Sequence, residues 1–250
     1  MTRKIVLSTV TIALLGSAAM WAQAQQNPVQ INPDLASFFV AENPNGTGNL
    51  GGLQGADQIC QQQAQAIGGR ARTRTWRAYL SQEQRGNTPR VDARTRIGTG
   101  PWYNVKGQLI ASNVADLHGD QQRDRNNIQK ATNLDAKGNE IPGGGGAPGT
   151  NQHDAMTGSD STGRAFTDGN DHTCNNWTSD QMSLPRAANA PAEVPADRAR
   201  AMLGHTDRSG GGNTSWNAAH MSQGCTARRL STPEAPAGST ASRPNKAMRC

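Results

Sequence analysis

The stretch TWRAYLS, residues 75–81, carries the clearest structural signal in the sequence. Its side chains alternate, so Trp76, Ala78 and Leu80 would lie on one face of a strand and the polar residues between them on the other. Polar sequence follows directly after it. We therefore predict a strand at 75–81, and the neighbouring segments are interpreted relative to it.

A helix is predicted upstream of this strand. Apolar residues recur at helical spacing between positions 54 and 67, with glutamine on the opposite face: Ala56, Ile59, Cys60, Ala64 and Ile67. Asp57 lies near the positive N-terminal end, and Gly68-Gly69 predicts the stop. Cys60 is therefore expected on the buried face. Further upstream, SFFVA at 37–41 predicts a short strand.

Downstream of residues 75–81, the ordered segments are short. GTGPWYN at 98–104 predicts a turn with two large aromatic residues, and QLIA at 108–111 predicts a short strand. We expect a long irregular loop region over 112–215, with insertions near 117–170 and 184–200, because these stretches are rich in Gly, Asp, Asn, Ala and Pro.

The N-terminus has the pattern of a secretory signal peptide. Arg3 and Lys4 precede an apolar run at 5–21, and the small residues of Ala22-Gln23-Ala24 suit a cleavage site. We predict a signal peptide at 1–24, a polar leader at 25–36 and one domain at 37–250. Loss of the signal peptide would lower the net charge from +6 to +4, because only two basic residues leave with it.

Composition narrows the class of protein. Apolar residues make up 34% and aromatic residues 4%, with 28 Gly and 13 Pro, which predicts a thin core and long loops rather than a helix bundle or coiled coil. No second apolar run could span a membrane. A nucleic-acid role fits poorly with export. The densest basic cluster, Arg70, Arg72, Arg74 and Arg77, is either a solvated edge or a surface for an anionic glycan.

The chain has four cysteines, Cys60, Cys174, Cys225 and Cys250, all after the predicted signal peptide. An even number in an exported chain predicts two disulfides, and three pairings are open on this ground. Both the cysteines and the leader predict a periplasmic or secreted protein.

The order of the segments resembles the C-type lectin-like fold. The segments that carry the resemblance are FFV at 38–40, NLGGL at 49–53 with Gly55-Ala56-Asp57 and Cys60, TWRAYL at 75–80, RIGTGPWYN at 96–104, CNNWTS at 174–179 and SWN at 215–217 before Cys225. The branch that they resemble is that of small secreted bacterial lectin-like proteins, which are also similar to the endostatin domain. The resemblance implies an α+β domain with one or two helices, a small twisted antiparallel sheet, a long loop region and two disulfides.

The resemblance also implies a disulfide pairing. In that fold the cysteine of the first helix bonds the cysteine of the last strand, and the two middle cysteines bond each other. Carried over to this chain, the pairs are Cys60–Cys250 and Cys174–Cys225.

The calcium motif of the sugar-binding relatives is incomplete in this chain. Trp216-Asn217 resembles the start of their Trp-Asn-Asp strand, but Ala218 stands where the calcium-binding Asp is expected. Their Glu-Pro-Asn or Gln-Pro-Asp triplet is absent between 110 and 216. Calcium-dependent sugar binding by the usual route is therefore not expected.

We predict a non-catalytic binding module that recognises carbohydrate through the long loop region. The candidate contact residues are Asp168, Asn170, Asp171, Asn175 and Asn176, with Tyr103 and Asn104 as an exposed pair in the aromatic turn. An unconventional calcium site is a further candidate, because calcium takes six to eight oxygen ligands; its carboxylates would be Asp154, Asp160, Asp168 and Asp171. The competing interpretation is that these Asp and Asn side chains make local turns.

Zinc and catalysis have no recognisable motif. His172, Cys174, His220 and Cys225 have the wrong spacing for a zinc ribbon or finger, and His205 with Asp207 would have to contribute instead. Endostatin-like relatives bind zinc, but no matching ligand set is evident here. The sequence has no Gly-x-Ser-x-Gly or His-Glu-x-x-His motif, so we do not expect an enzyme.

Two alternatives stay open beside the lectin-like module. One is a structural or protein-binding envelope or matrix protein of the same fold that binds no sugar, and the other is a metal-assisted hydrolase. The predicted partner is a glycan or an extracellular or envelope protein, and the sequence leaves the oligomeric state open.

Overall fold

Twelve short helices and strands are found in the described residues. The structure is a computed structural model that describes residues 29–120, 124–143, 151–181, 199–209, 214–226 and 247–250. The helices are α1 Gly52–Ala64, α2 Ala93–Arg96, α3 Val114–His118 and α4 Cys174–Trp177, with a 3-10 turn at Gly69–Arg72. The strands are β1 Val40–Ala41, β2 Trp102–Tyr103, β3 Leu109–Ala111, β4 Asp154–Met156, β5 Met202–His205, β6 His220–Met221 and β7 Ala247–Arg249. The predicted signal peptide and most of the insertion at 184–200 lie outside the described residues.

Five strands form the main sheet, in the order β1-β7-β4-β5-β6, and β2 with β3 forms a separate hairpin. β4 is central: it pairs in parallel with β7 and antiparallel with β5. The expectation that 112–215 is irregular is wrong for β4 and β5, which both lie within this range. β4 has only three residues, too few for an alternating pattern to stand out in polar sequence, and long-range pairing fixes it instead.

Helix α1 confirms the helix that its apolar spacing predicted. It has 13 residues and buries Ala56, Cys60 and Ala64 against the core. It ends at Ala64, three positions before Ile67, the last residue of the predicted helix. A turn follows, in which the Ile67 N–H donates to the Ala64 carbonyl at 3.1 Å.

The strand predicted at 75–81 is absent: these residues belong to no regular strand, and long-range backbone hydrogen bonds hold them instead. The Tyr79 N–H donates to the Arg249 carbonyl at 2.7 Å, and the Ser81 N–H donates to the Thr157 carbonyl at 2.9 Å. Trp76, Ala78 and Leu80 pack together in the larger core cluster, as their spacing predicted. Tyr79 is also buried, but it packs in the second cluster. This segment therefore separates the two halves of the core.

Two disulfides close the fold. Cys60 in α1 bonds Cys250 at the end of β7, and Cys174 in α4 bonds Cys225. These are the pairs that the resemblance implies. Within the described ranges, no helix combines the length and apolar character needed to cross a membrane.

Candidate functional site: an arginine-lined cavity and a histidine–aspartate cluster

A cavity of about 220 Å³ lies beside the second core cluster. Most of its lining is apolar or aromatic, and three arginines contribute to it. The lining residues are Ser37, Phe38, Thr75, Trp76, Arg77, Tyr79, Arg96, Ile97, Gly98, Trp102, Ile110, Leu117, Trp216, Arg249 and Cys250. Concave sites with apolar walls and a few charged groups are the usual form of ligand pockets. We call this feature the arginine cavity.

Asp57 of α1 balances only part of the charge around the cavity. Its Oδ2 lies 3.0 Å from Arg77 Nη1 and 2.8 Å from Arg96 Nη2. Its Oδ1 accepts a hydrogen bond from the Ala78 N–H at 2.8 Å. The side chain of Arg77 is 50% exposed and that of Arg96 is 13% exposed. Because two guanidinium groups share one carboxylate, this wall keeps a net positive charge.

The predicted basic cluster continues this positive surface along the chain. Arg70, Arg72 and Arg74 are exposed on the 3-10 turn and the segment after it. Arg74 Nη2 donates to the backbone carbonyl of Asp34 at 2.9 Å. Because this acceptor is uncharged, the contact does not neutralise the guanidinium. The chain then enters the cavity wall at Thr75. An anion that approaches the cavity meets a positive potential over this edge.

Arg249 places a third guanidinium in the wall. The residue is 1% exposed, and its guanidinium carbon lies 5.3 Å from the centre of the Trp216 ring. Its Nη2 donates to the His205 carbonyl at 3.3 Å, while Nε and Nη1 have no hydrogen-bond partner among the described residues. Burial lowers the pKa of Arg249 to about 9, so the group is still charged at neutral pH.

Tyr79 and His118 form a neutral part of the same region. The Tyr79 hydroxyl and His118 Nε2 are 2.8 Å apart, and Asn217 Nδ2 donates to that hydroxyl at 3.1 Å. Burial raises the pKa of Tyr79 and lowers the pKa of His118. The Tyr79 and Trp216 ring centres lie 4.9 Å apart. These contacts fix the rings that line the arginine cavity.

Two of the predicted loop contacts are buried. Asp171 Oδ1 accepts from the Thr173 N–H at 2.9 Å and lies 2.9 Å from Arg85 Nη2. Asn176 Oδ1 accepts from the Glu83 N–H at 2.8 Å, and its Nδ2 donates to the Glu83 carbonyl at 3.0 Å. These side chains are therefore bound within the protein, where they attach the loop after residue 170 to residues 83–85.

The other three predicted loop residues lie at the surface. Asp168, Asn170 and Asn175 are exposed. Asp168 accepts hydrogen bonds from the Asn170 backbone at 3.0 Å and from its side chain at 3.1 Å, as in a local Asx turn. Their role in ligand binding stays a prediction.

Asn104 does not have the exposure that its position in the aromatic turn predicted. It is fully buried, and its Nδ2 donates to Gln108 Oε1 at 2.8 Å and to the Thr132 carbonyl at 2.9 Å. Tyr103 is partly buried. Asn104 is internal because its amide oxygen accepts the Lys106 and Gln108 N–H groups and so closes the turn between β2 and β3. Trp102, two residues earlier, lines the arginine cavity.

The four carboxylates proposed for calcium have different surroundings. Asp160 Oδ1 accepts from the Thr162 N–H at 2.8 Å and the Arg164 N–H at 3.0 Å, which closes its own turn. Asp168 and Asp171 lie in the loop before α4, and Asp154 lies beside His153, His205 and His220. In the described part of the chain, no metal-binding group of three or more His, Cys, Asp or Glu contains two of these four carboxylates.

A different group of side chains meets at one end of β4, β5 and β6. The Asp154 side chain is fully buried. Its Oδ1 lies 3.3 Å from His153 Nε2, 3.5 Å from His205 Nε2 and 3.4 Å from His220 Nε2. Asp154 pairs across the sheet with His205, and His220 pairs with Leu203, so the three side chains share one face. We call these four residues the histidine–aspartate cluster.

Hydrogen bonds fix two of the three imidazole rings. His153 Nδ1 lies 3.1 Å from Asp207 Oδ1, and His220 Nδ1 lies 3.2 Å from the Met221 carbonyl oxygen. His205 is 4% exposed, and neither ring nitrogen has a hydrogen-bond partner among the described residues. Burial and then the neighbouring His153 lower the pKa of His205, which favours the neutral ring. Neutral imidazole and carboxylate groups are ligands for transition metals.

The sequence interpretation missed two central residues, Arg249 and His153. Arg249 stands directly before Cys250, but no local pattern in the sequence shows that its side chain is buried over Trp216. His153 stands directly before Asp154, a pair of ligand types that could have been noticed. The remaining cluster histidines lie on other strands, so no short spacing motif exists.

Comparison with known families gives a match to the family described as Collagenase NC10 and Endostatin, over residues 38–193. A search of curated proteins finds no match. The family match spans more than half of the chain and covers α1, the segment at 75–81, the β2–β3 hairpin, β4 and α4. The mixed α+β architecture and the two disulfides agree with the C-type lectin-like fold of that family, whose domain is a binding module. The chain therefore belongs to the Collagenase NC10 and Endostatin family.

Proposed function

We propose that this chain is an exported, non-catalytic module that binds an acidic carbohydrate in the arginine cavity. The observation that carries the proposal is the charge of the wall: Arg77, Arg96 and Arg249 line the cavity, and Asp57 is the one carboxylate within ion-pair distance of them in the described residues. An acidic ligand would supply the missing negative charge.

The lining also suits a sugar ring. Aromatic faces and edges pack against the C–H groups of a sugar, and guanidinium groups bind carboxylate or sulfate oxygens in pairs. The cavity volume of about 220 Å³ is below the 300–1,000 Å³ that is typical of drug-sized ligands. It therefore fits one ring or the end of a longer glycan. This moves the proposed site from the loop residues Asp168 to Asn176 to the cavity.

Export is supported by the sulfur chemistry of the chain. Both described disulfides pack against the core, with Cys250 partly buried, and such bonds persist in oxidising compartments. A leader with the features of a signal peptide at residues 1–24 is consistent with this location. A periplasmic or secreted protein would meet acidic glycans there.

A glycan array with and without a chelator tests the proposal. We expect the chain to prefer acidic over neutral glycans, with binding that weakens as salt increases and does not change with the chelator. Arg77→Ala should weaken binding roughly tenfold, because it removes one charged contact from a half-exposed position. Arg164→Ala is the matched control: it removes one exposed arginine that does not line the cavity, and it should bind like the wild type.

Three outcomes would contradict this function. Equal binding of neutral and acidic glycans would remove the role of the arginines. Binding that is lost with the chelator and restored by calcium would favour a calcium lectin instead. No glycan binding, together with a specific protein recovered by pull-down from the envelope, would favour the structural alternative.

A further inference from the structure

We propose that the arginine cavity binds a terminal uronic acid, with the carboxylate of that sugar held by Arg249 at the inner wall. The proposal rests on the binding of acidic glycans proposed above. It adds which acidic group is recognised, at which position of the glycan it stands and which residue selects it.

Arg249 is a buried charge that the described residues leave unbalanced. The residue is 1% exposed, and in the described part of the chain it belongs to none of the arginine ion pairs. Its Nη2 donates to the His205 carbonyl at 3.3 Å, but Nε and Nη1 have no acceptor among the described residues. A buried charge without a partner is costly. An anion that offers acceptors to these nitrogens would therefore be bound more strongly here than at an exposed arginine.

Exposure falls from the mouth of the cavity to Arg249. The side chain of Arg77 is 50% exposed and that of Arg96 is 13% exposed, whereas Arg249 and Trp216 are each 1% exposed. All four residues line the cavity, and the Arg249 guanidinium carbon lies 5.3 Å from the centre of the Trp216 ring. Nε and Nη1 are shielded from solvent, so an acidic group reaches them through a small shift of the wall. The entering group therefore passes Arg77 and Arg96 and is held beside Trp216.

A carboxylate is the acidic group that suits this position. Tyr79 and His118 are neutral at pH 7, because burial raises the pKa of Tyr79 and lowers the pKa of His118. Arg249 thus supplies the positive charge of the inner wall, and one carboxylate balances it. A carboxylate is planar and accepts from a guanidinium with two oxygens. A sulfate ester is tetrahedral, bulkier and set off from the sugar ring by an extra oxygen, so it leaves less of the cavity for the ring.

The size of the cavity favours the end of a chain. Its volume of about 220 Å³ fits one sugar ring. In a uronic acid the carboxylate is carried by the ring carbon next to one of the common linkage positions. When the carboxylate enters first, a further sugar at that position would have to pass through the inner wall. A terminal uronic acid has a free hydroxyl there, and its other linkage can lead out past Arg96 and Arg77.

Four synthetic oligosaccharides with the same neutral chain test the wild type, as the full-length protein with its disulfides intact. The first three end in glucuronic acid, in the primary amide of glucuronic acid, or in glucose 6-sulfate. The fourth carries one more neutral sugar on the glucuronic acid. Binding is measured by calorimetry and by tryptophan fluorescence. We expect the terminal uronic acid to bind at least about tenfold more tightly than the other three, because only it brings a carboxylate to Arg249.

Variants of Arg249 assign this preference to its side chain. Arg249→Met is uncharged and of similar length, and the ratio of affinities for the uronic acid and its amide should fall to about one. Arg249→Lys keeps the charge and should keep part of the preference. Arg77→Ala should weaken both ligands and leave the ratio unchanged. A purely structural role of Arg249 would lower both affinities together, and circular dichroism checks that each variant is folded. The wild-type comparison needs no variant, so it decides the question even if R249M does not fold.

The outcomes separate this inference from the proposed function. Failure to bind any acidic glycan, on the array or here, would refute both. Binding of acidic glycans with equal affinity for the uronic acid, its amide and the sulfated sugar would overturn the role of the carboxylate alone. Equal binding of the capped chain would overturn recognition of the terminus. An unchanged ratio in folded R249M would overturn the assignment to Arg249.

Discussion

At the scale of single residues, Asp57 connects helix α1 to the cavity wall. It is 9% exposed, accepts the Ala78 N–H and lies within 3.0 Å of guanidinium nitrogens from both Arg77 and Arg96. The sequence placed Asp57 near the helix N-terminus, where its expected role was to oppose the helix dipole. Its tertiary contacts show that its main role is to hold residues 77–78 and Arg96 against the helix.

Replacement of Asp57 by Asn should destabilise the fold by about 2–4 kcal/mol, because the largely buried Arg96 guanidinium loses its carboxylate. Chemical unfolding followed by circular dichroism measures the change. Asp168→Asn is the control, since this exposed carboxylate bonds mainly within its own turn and should change stability by less than about 0.5 kcal/mol. Equal stability of the wild type and D57N would show that the interaction is not stabilising.

His118 predicts a loss of stability in mild acid. Burial lowers its pKa in the folded chain, and the nearby Arg94 lowers it further. The unfolded chain therefore binds this proton first as the pH falls. The contribution of His118 is complete above about pH 6.5 and is lost as the pH falls from there through the folded-state pKa, by at most about 1.4 kcal/mol per pH unit.

The measurement is the free energy of unfolding between pH 7.5 and pH 5 for the wild type and His118→Gln. The wild type should lose more stability than the variant over this range, because glutamine does not titrate. Parallel curves for the two proteins would mean that His118 keeps its ordinary pKa in the fold.

At the scale of elements, α4 is a left-handed turn. All four of its residues have positive φ, from 49° at Cys174 to 66° at Trp177. This conformation costs roughly 1–2 kcal/mol per residue for side chains other than glycine, and asparagine tolerates it best. The buried Cys174–Cys225 disulfide, Trp177 and Asn176 hold the turn in place.

Substitutions at Asn175 test this turn, because the side chain is exposed and its φ is 54°. Asn175→Val should destabilise the chain by about 1–2 kcal/mol, since a β-branched residue is strained at positive φ, whereas Asn175→Gly should be nearly neutral. Thermal unfolding compares the pair. Asn170→Val, at an exposed site outside the positive-φ residues, should have little effect, and a loss in N170V as large as in N175V would refute the strain argument.

At the scale of the whole molecule, the disulfides connect distant parts of a chain with many loops. Cys60–Cys250 spans 190 residues and ties α1 to the last strand, while Cys174–Cys225 spans 51 residues. A chain with 34% apolar residues has a thin core, so these links matter more than they would in a protein with a larger one.

The paired variants Cys60→Ala with Cys250→Ala and Cys174→Ala with Cys225→Ala should lose different amounts of stability. The chain-entropy relation gives about 5 kcal/mol for the 190-residue separation and about 4 kcal/mol for the 51-residue separation. Denaturant unfolding of both double variants under non-reducing conditions checks the order. A larger loss for the 174–225 pair would indicate that strain or local packing, not loop length, controls the stability.

The sequence alone determined the features that depend on local pattern. The spacing from Ala56 to Ala64 predicted α1, and the alternation at Trp76, Ala78 and Leu80 predicted that these three side chains lie together, because both are periodicities of neighbouring residues. The order of the short motifs predicted the fold class and, through the resemblance, the pairs of cysteines. The predicted carbohydrate contacts at 168–176 followed only from their polar, loop-forming residue types.

The tertiary structure decided the features that depend on long-range contacts. β4 is central because β5 and β7 pair with it, and its three residues alone do not reveal this. Arg249 and Arg77 are more than 170 positions apart in the chain, and so are Arg249 and Phe38, yet all three line one cavity. The histidine–aspartate cluster combines His153 and Asp154 at the start of β4 with His205 of β5 and His220 of β6. Such sites arise from the register of the sheet, which no local pattern in the sequence encodes.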